Sequence, residues 1–434
     1  MNKGLKIILV VFAVSMLSTL GLKAQQPVPA QPQSKPLLLM NGTAHIGNGT
    51  VIKNAVVGFK NGKITLVADV SKFSQDKSEY EVIDVSGKDI YPGFIAPNTI
   101  LGLSEIELVR STLDFRETGS MNENVRALIS YNTDSKVIPT VRYNGILLAQ
   151  VVPQGGTVSG QSSVMELDAW NWEDAAYNPD EGLHLNWPLM FIYKGAGPEA
   201  EEAQRTTADR ELKKIKMLFS EAKAYCASDP TEKNLRFEAM RGLFNKTKRL
   251  YIHCDYVKEI VSAVNFAHDL GLNMVLVGGA DSWRVTALLR SYNVPVIVGR
   301  THALPSREDD DVDLPYKLPY LLQRDGVAFC LSVDGFWQVR NLPFMAGTAV
   351  AYGLTKEEAL QSITSAPAKI FGIADRCGTL EPGKDATLIV SNGDALDMKS
   401  NRIEHAFIRG KSIQLTSIQT DLNSKYRSKY GLKP

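Results

Sequence analysis

The chain has 434 residues, 44% hydrophobic and 22% charged, enough to bury one large core and a smaller one. Its formal net charge of +1 becomes −2 once Lys3, Lys6 and Lys23 leave with a leader that contains no acid. Neither value directs the protein to nucleic acid or to an anionic membrane.

Lys3 and Lys6 precede an apolar run, Ile7 to Leu17, and Leu22-Lys23-Ala24 places a small residue before a cut. This layout predicts a secretory signal peptide over residues 1–24 and a periplasmic or secreted bacterial protein. The run is shorter than the about 20 residues of a transmembrane helix. No cysteine stands at the cut to carry a lipid, so no stable membrane insertion is expected after cleavage. Residues 25–36 are rich in Gln and Pro and read as a flexible linker.

From Leu37 to Val70, apolar and polar residues alternate around Asn41-Gly42 and Asn61-Gly62, turns that suit β-hairpins. From Ile90 onward, short apolar runs separate helical stretches, the mark of alternating β and α units. The strand candidates are Leu147–Val152, Leu250–Ile252, Met274–Val277, Val294–Val298 and Val327–Leu331; Val257–Leu270 and Trp283–Tyr292 have helical spacing. Periodicity by itself gives α/β. Gln150 to Trp187 is less regular. Gly155, Gly156 and Gly160 there suit close backbone approach to a ligand, and Trp170, Trp172 and Tyr177 either line an aromatic pocket or pack under a long loop. Cys226, Cys254, Cys330 and Cys377 have no paired short spacing, which argues against a thiolate zinc site and reads as buried free thiols, with a disulfide as the alternative.

Val82-Ile83-Asp84, Gly87-Lys88 and Tyr91-Pro92-Gly93-Phe94-Ile95 resemble the entry to the first barrel strand of the amidohydrolase superfamily, metal-dependent hydrolases of the imidazolonepropionase type. Thr355 to Ile373 looks like that family's last barrel helix, and Gly378 to Val390 like the return into its small β domain. The resemblance runs from about Leu37 to about Lys411. It implies an α/β fold: a distorted TIM (β/α)8 barrel over residues 89–372, with a small β-sandwich domain built from residues 37–88 and 373–434.

The family's first strand normally carries Asp, a small residue, His, any residue, His. Here Asn98 and Ile100 stand where the two histidines are expected, and Gly278 where strand six has its histidine. The family's strand-five ligand matches His253 and its terminal aspartate matches Asp334. The resemblance therefore implies Asp334 as the catalytic carboxylate, and His253 with Asp334 as the ligands of one divalent metal ion, zinc first. His184 and Asn186 share a face if their stretch is extended, a substitute for missing ligands or a plain loop. Asp281 is a further ligand or the cap of the next helix. The acidic run Arg307 to Asp313 reads as an exposed loop, with gating of the mouth or cation binding as the sharper alternative. His45, His268 and His405 read as structural.

Two functions follow. One is hydrolysis of a carbon–nitrogen, non-peptide bond in a cyclic or linear amide. The other is a catalytically degenerate homologue that binds a small molecule or partners an active paralogue. A small-molecule substrate or ligand is expected in either case, nucleic acid in neither. The resemblance also implies association as a homodimer or as a heteromer with a paralogue.

Overall fold

A computed structural model describes residues 28–74, 76–192, 197–228 and 231–432. The expected signal peptide lies outside the described residues.

The N-terminal segment supplies β1 (Leu37–His45), β2 (Val51–Lys60), β3 (Lys63–Asp69), β4 (Glu81–Asp84) and β5 (Asp89–Pro92). The barrel strands follow as β6 (Phe94–Thr99), β7 (Ile146–Val151), β8 (Val158–Glu166), β9 (Ala176–Asn186), β10 (Arg249–Cys254), β11 (Met274–Gly278), β12 (Val296–Val298) and β13 (Phe329–Leu331). The chain then returns to the first sheet through β14 (Leu388–Ser391), β15 (Ile403–Ile408) and β16 (Lys411–Ser412).

The first sheet has the order β16-β15-β14-β5-β1-β2-β3, with β4 also pairing β1. It curls upon itself: β2 and β15 have three strands between them, yet Phe59 and Phe407 meet edge to face at 5.0 Å. Hydrophobic burial across that fold gives the small unit its own core, with Leu39, Val57, Phe59, Ile90, Leu388 and Phe407. Gln33 ties the preceding segment to this unit, its Oε1 accepting from the Gly62 N–H at 3.0 Å. The Ala30 N–H donates to Asp168 beside the barrel at 2.8 Å.

Gly93 is the crossing point between the two sheets. Its N–H donates to Thr387 O at 3.0 Å, and a Cβ there would lie 2.8 Å from Leu147 Cδ1, so only glycine fits without displacement.

In the second sheet the strands run in sequence from β6 to β13. β6 pairs β7 in parallel, and β9 to β13 are mutually parallel, but β8 runs antiparallel to both neighbours. This is where the barrel departs from eight βα repeats. β8 and β9 fill most of the stretch that reads as irregular in the sequence. Ser162, Ser163, Gln161 and Glu166 are buried within β8, and such polar residues erase the apolar alternation by which a strand is recognised. The ring is completed by a peptide segment rather than a strand pair: Ile95 N donates to Ile363 O at 2.8 Å and Leu331 N to Ser362 O at 3.1 Å.

The predicted helix over Val257–Leu270 forms with those bounds. Ile260, Ala263, Val264 and Ala267 give it a buried face at helical spacing, and Gly271 ends it in a left-handed conformation with φ 71°. Ile95, Leu148, Tyr251, Val275, Ile297 and Cys330 fill the barrel axis, so the interior is packed rather than open. All four cysteines are free, and Cys254, Cys330 and Cys377 are buried.

Candidate functional site

The carboxyl ends of the parallel strands surround a cavity of about 670 Å³. Asn98 comes from β6, Asn186 from β9, His253 from β10 and Gly278 from β11; Gln154, Arg300 and Asp334 come from the loops after β7, β12 and β13. β8, running the other way, contributes Ser159 from its start. Loops at this face carry the chemistry of barrel enzymes, because rigid strands aim their ends into one space.

His253 and Asp334, singled out from sequence, both line this cavity. His184, on the neighbouring strand, is fully buried behind His253, and its Nδ1 lies 2.8 Å from His253 Nε2. One nitrogen of that pair carries the proton and the other accepts it. His184 also stacks on Tyr251, with ring centroids 4.6 Å apart and planes 8° from parallel. Burial holds both imidazoles neutral. It pushes His253 down to about 4, and burial with the nearby His253 pushes His184 well below the usual histidine range.

A polar knot lies in the barrel among the same strands. Glu181 accepts from Ser162 Oγ at 2.5 Å, Gln150 Nε2 at 2.6 Å and Tyr251 Oη at 2.6 Å. Burial raises the Glu181 carboxyl, and those hydrogen bonds pull against it. Gln150 in turn accepts from the backbone N–H of Asn98 at 3.0 Å, linking the knot to the cavity wall.

Asp334 is two-thirds exposed at the mouth and faces Arg300, with Arg300 Nε 3.6 Å from its carboxylate. Asn98 borders the cavity in a left-handed conformation at φ 49°, whereas Ile100 is buried in the main core. Gly278 has φ 92°, and a Cβ there would lie 2.6 Å from Asp255 Oδ1. A ligand side chain at 278 would thus be strained and would collide with a carboxylate.

Other sequence candidates have structural partners. Asp281 does not cap the turn that follows it and does not face the cavity: Arg307 holds it at 2.6 and 3.0 Å, Arg284 lies 3.4 Å away, and its Oδ2 accepts from the Val257 N–H at 3.3 Å at the start of the helix Val257–Leu270. The acidic run is consequently fastened at its first residue, with Arg307 also bonding Asp310 at 2.9 Å. Trp170 is exposed, and Tyr177 is buried with its hydroxyl donating to Asp385 at 2.7 Å, so of the two readings of these aromatics the pocket does not form. The cavity's aromatic walls are Trp187 and Tyr256 instead. Gly155 and Gly156 serve close approach to Arg116 and to the Ser120 backbone, and Gly155 also borders the cavity.

Sequence reading missed Arg116, Arg300, Asp255 and Glu259 on the cavity wall. Asp255 and Glu259 directly follow the His253 strand and begin its helix, a position that could have drawn attention to them. Glu259 accepts from the N–H groups of Met190 at 2.9 Å and of Asp255 and Tyr256 at 3.3 Å. Burial raises the Asp255 carboxyl. The two arginines have no local signal, since loop closure alone brings them to the mouth.

A strand-ringed cavity at the carboxyl face of a distorted barrel, beside a sheet built from both ends of the chain, defines a barrel protein with its site at the mouth. The Amidohydrolase family matches residues 316–413. An imidazolonepropionase of Rhizobium rhizogenes is 26% identical over 370 residues, covering 80% of this chain and 88% of the relative. One from Mesorhizobium japonicum is 22% identical over 373 residues, covering 81% and 89%. The crystal structure of an amidohydrolase from Thermotoga maritima superposes with a TM-score of 0.76 at 26% identity, covering 87% of this chain and 99% of that one. Together these similarities support the amidohydrolase superfamily for this chain and, at the coarse level, hydrolysis of carbon–nitrogen bonds.

Members of this superfamily are typically metal-dependent. Among the described residues, no three His, Cys, Asp or Glu side chains gather as a group able to hold a metal ion. A hydrolytic zinc takes three protein ligands and leaves one position open. Here His253 Nε2 is engaged by His184, and Asp334 faces a guanidinium. This donor set does not fit a resident metal, and the roles below rest on protein groups.

Proposed function

We propose that the chain hydrolyses a carbon–nitrogen bond, other than a peptide bond, in a small cyclic or linear amide bound at the barrel mouth. The observation that carries the reading is His253, a neutral imidazole on the wall of the cavity that all parts of the barrel rim share. Hydrolysis needs a group that takes a proton from attacking water and one that returns a proton to the leaving nitrogen. Asp334 is assigned as the catalytic carboxylate. His253, fixed through Nε2 by His184, keeps Nδ1 for the second role. Similarity over four-fifths of the chain to proteins named imidazolonepropionase supports a ring amide as the first substrate to try. The leader supports a periplasmic or secreted location.

A second reading has its own observation. The incomplete metal donor set and the Asp334–Arg300 pair suit a degenerate member that binds a small molecule or partners an active paralogue. A screen of cyclic and linear amides, followed both by product release and by thermal shift, separates the two. Turnover lost in His253→Ala and Asp334→Asn supports hydrolysis. Saturable binding at the mouth without turnover supports the second reading.

A further inference from the structure

Asp255, which neither proton-transfer role uses, directly follows β10, two residues beyond His253. Backbone contacts clip it to the turn after β11: the Asp281 N–H donates to its carbonyl oxygen at 2.8 Å, and the Gly279 N–H to Cys254 O at 2.9 Å. Its carboxylate takes the space in which a side chain at residue 278 would stand, since a Cβ on Gly278 would lie 2.6 Å from Oδ1. The Ala280 N–H donates to that oxygen at 3.2 Å. The side chain is thus fixed against the barrel wall yet exposed, and the space it opens to is the cavity.

The charges around it do not balance. Glu259, almost fully buried on the same wall, accepts from the Asp255 N–H at 3.3 Å and adds a second carboxylate. Asp281 already has Arg307 and Arg284, and His253 is neutral. Among the described residues, no side-chain cation pairs with Asp255. The cavity's own guanidiniums are placed elsewhere. Arg300 faces Asp334, and Arg116 stands against Gly155 in the loop after β7, on the far side of the ring. A carboxylate held in a cavity wall without a partner favours a ligand that brings the opposite charge.

We propose that Asp255 sets the specificity of the cavity and that its ligand is an amide bearing a cationic nitrogen, an ammonium or amidinium group, which pairs with this carboxylate. The amide part rests on the hydrolase reading; the cation site follows from Asp255 itself. Two residues along extended chain span about 7 Å, so a chain of three or four carbons joins an amide at His253 to a cation at Asp255. Trp187 and Tyr256 border the cavity and give that chain an apolar wall. An anionic group here would meet Asp255 and Glu259 and be repelled.

Isothermal titration calorimetry with three probes of similar shape tests it: 4-aminobutanamide, pentanamide with a methyl in place of the ammonium, and succinamate with a carboxylate. The parent chain should bind 4-aminobutanamide at least about tenfold more tightly than pentanamide, the worth of one hydrogen bond to a charged group, and succinamate most weakly. Asp255→Asn keeps an acceptor for the Ala280 N–H, and with it the fold, and should bring the first ratio to about one. No binding of 4-aminobutanamide, equal binding of the two amides by the parent chain, a preference for succinamate, or a preference that survives in Asp255→Asn overturns the proposal. Ammonia release from the same samples keeps the two readings apart. A preference that depends on Asp255, without ammonia, leaves the cation site standing and sinks the hydrolase; turnover with no charge preference does the reverse.

Discussion

His184 Nδ1 and His253 Nε2 lie 2.8 Å apart, each imidazole held neutral by burial, at the place where the superfamily resemblance sets a metal ligand. A lone pair engaged in an imidazole–imidazole hydrogen bond is not free for a cation. Protein purified without chelators or a histidine tag should carry zinc well below one equivalent. His184→Phe keeps the stack on Tyr251 and should cost about 1 to 2 kcal/mol for the lost hydrogen bond without recruiting metal, because a third donor is still missing. Elemental analysis decides: one zinc per chain that disappears in both His253→Ala and Asp334→Ala would restore the metallohydrolase.

Glu181 takes three side-chain hydrogen bonds in a buried site. Glu181→Ala strands the donors of Ser162, Gln150 and Tyr251 and opens a cavity, at a cost of about 3 to 5 kcal/mol. Glu181→Gln keeps the shape and acceptor and should lose far less. Urea melts of the two variants check the order, and equal losses would contradict it.

Arg307 fastens the loop after β12 to Asp281, which is almost fully buried. Arg307→Ala leaves that carboxylate to Arg284 and the Val257 N–H and should destabilise by about 2 to 4 kcal/mol. The expected signature is early proteolytic cleavage between Arg300 and Asp313 with the barrel still folded. Unchanged protease resistance would argue against the tether.

His45 joins the small sheet to the helix Lys356–Gln361, with Nδ1 2.6 Å from Glu357 and Nε2 3.6 Å from Asp89. Burial pulls its pKa down, but the carboxylates of Asp89 and Glu357 outweigh that and raise it to about 9. A raised folded-state value means the stabilisation is complete below the unfolded value near 6.5 and is lost as pH rises through 9. Partial exposure limits the effect to about 1 to 2 kcal/mol. Thermal melts should fall between pH 6.5 and 9 in the parent chain, and His45→Gln should flatten that segment of the profile. A parent profile already flat there would remove the assigned role.

The strands β10 and β11 and the helix Val257–Leu270 were legible because their apolar spacing is local and unbroken. β8 and β9 were not, because their inward residues are polar and become satisfied only when Gln150, Ser162, Glu181 and Tyr251 converge from four strands. The candidate site divides in the same way. His253 and Asp334 could be placed at strand ends from the resemblance alone. Their partners His184 and Arg300 could not, since hydrogen bonds across 69 residues and ion pairs between loops leave no periodic trace.

The sequence by itself determined the barrel and small-sheet architecture and the superfamily, through apolar runs, glycine turns and matched motifs that act over a few residues. Only the tertiary structure decided what the surviving site residues do. It paired His253 with His184, set Asp334 against Arg300, and placed the Asp255 carboxylate over Gly278. Those outcomes depend on which atoms share a dry space once the ring closes, and burial fixes that only in the folded chain.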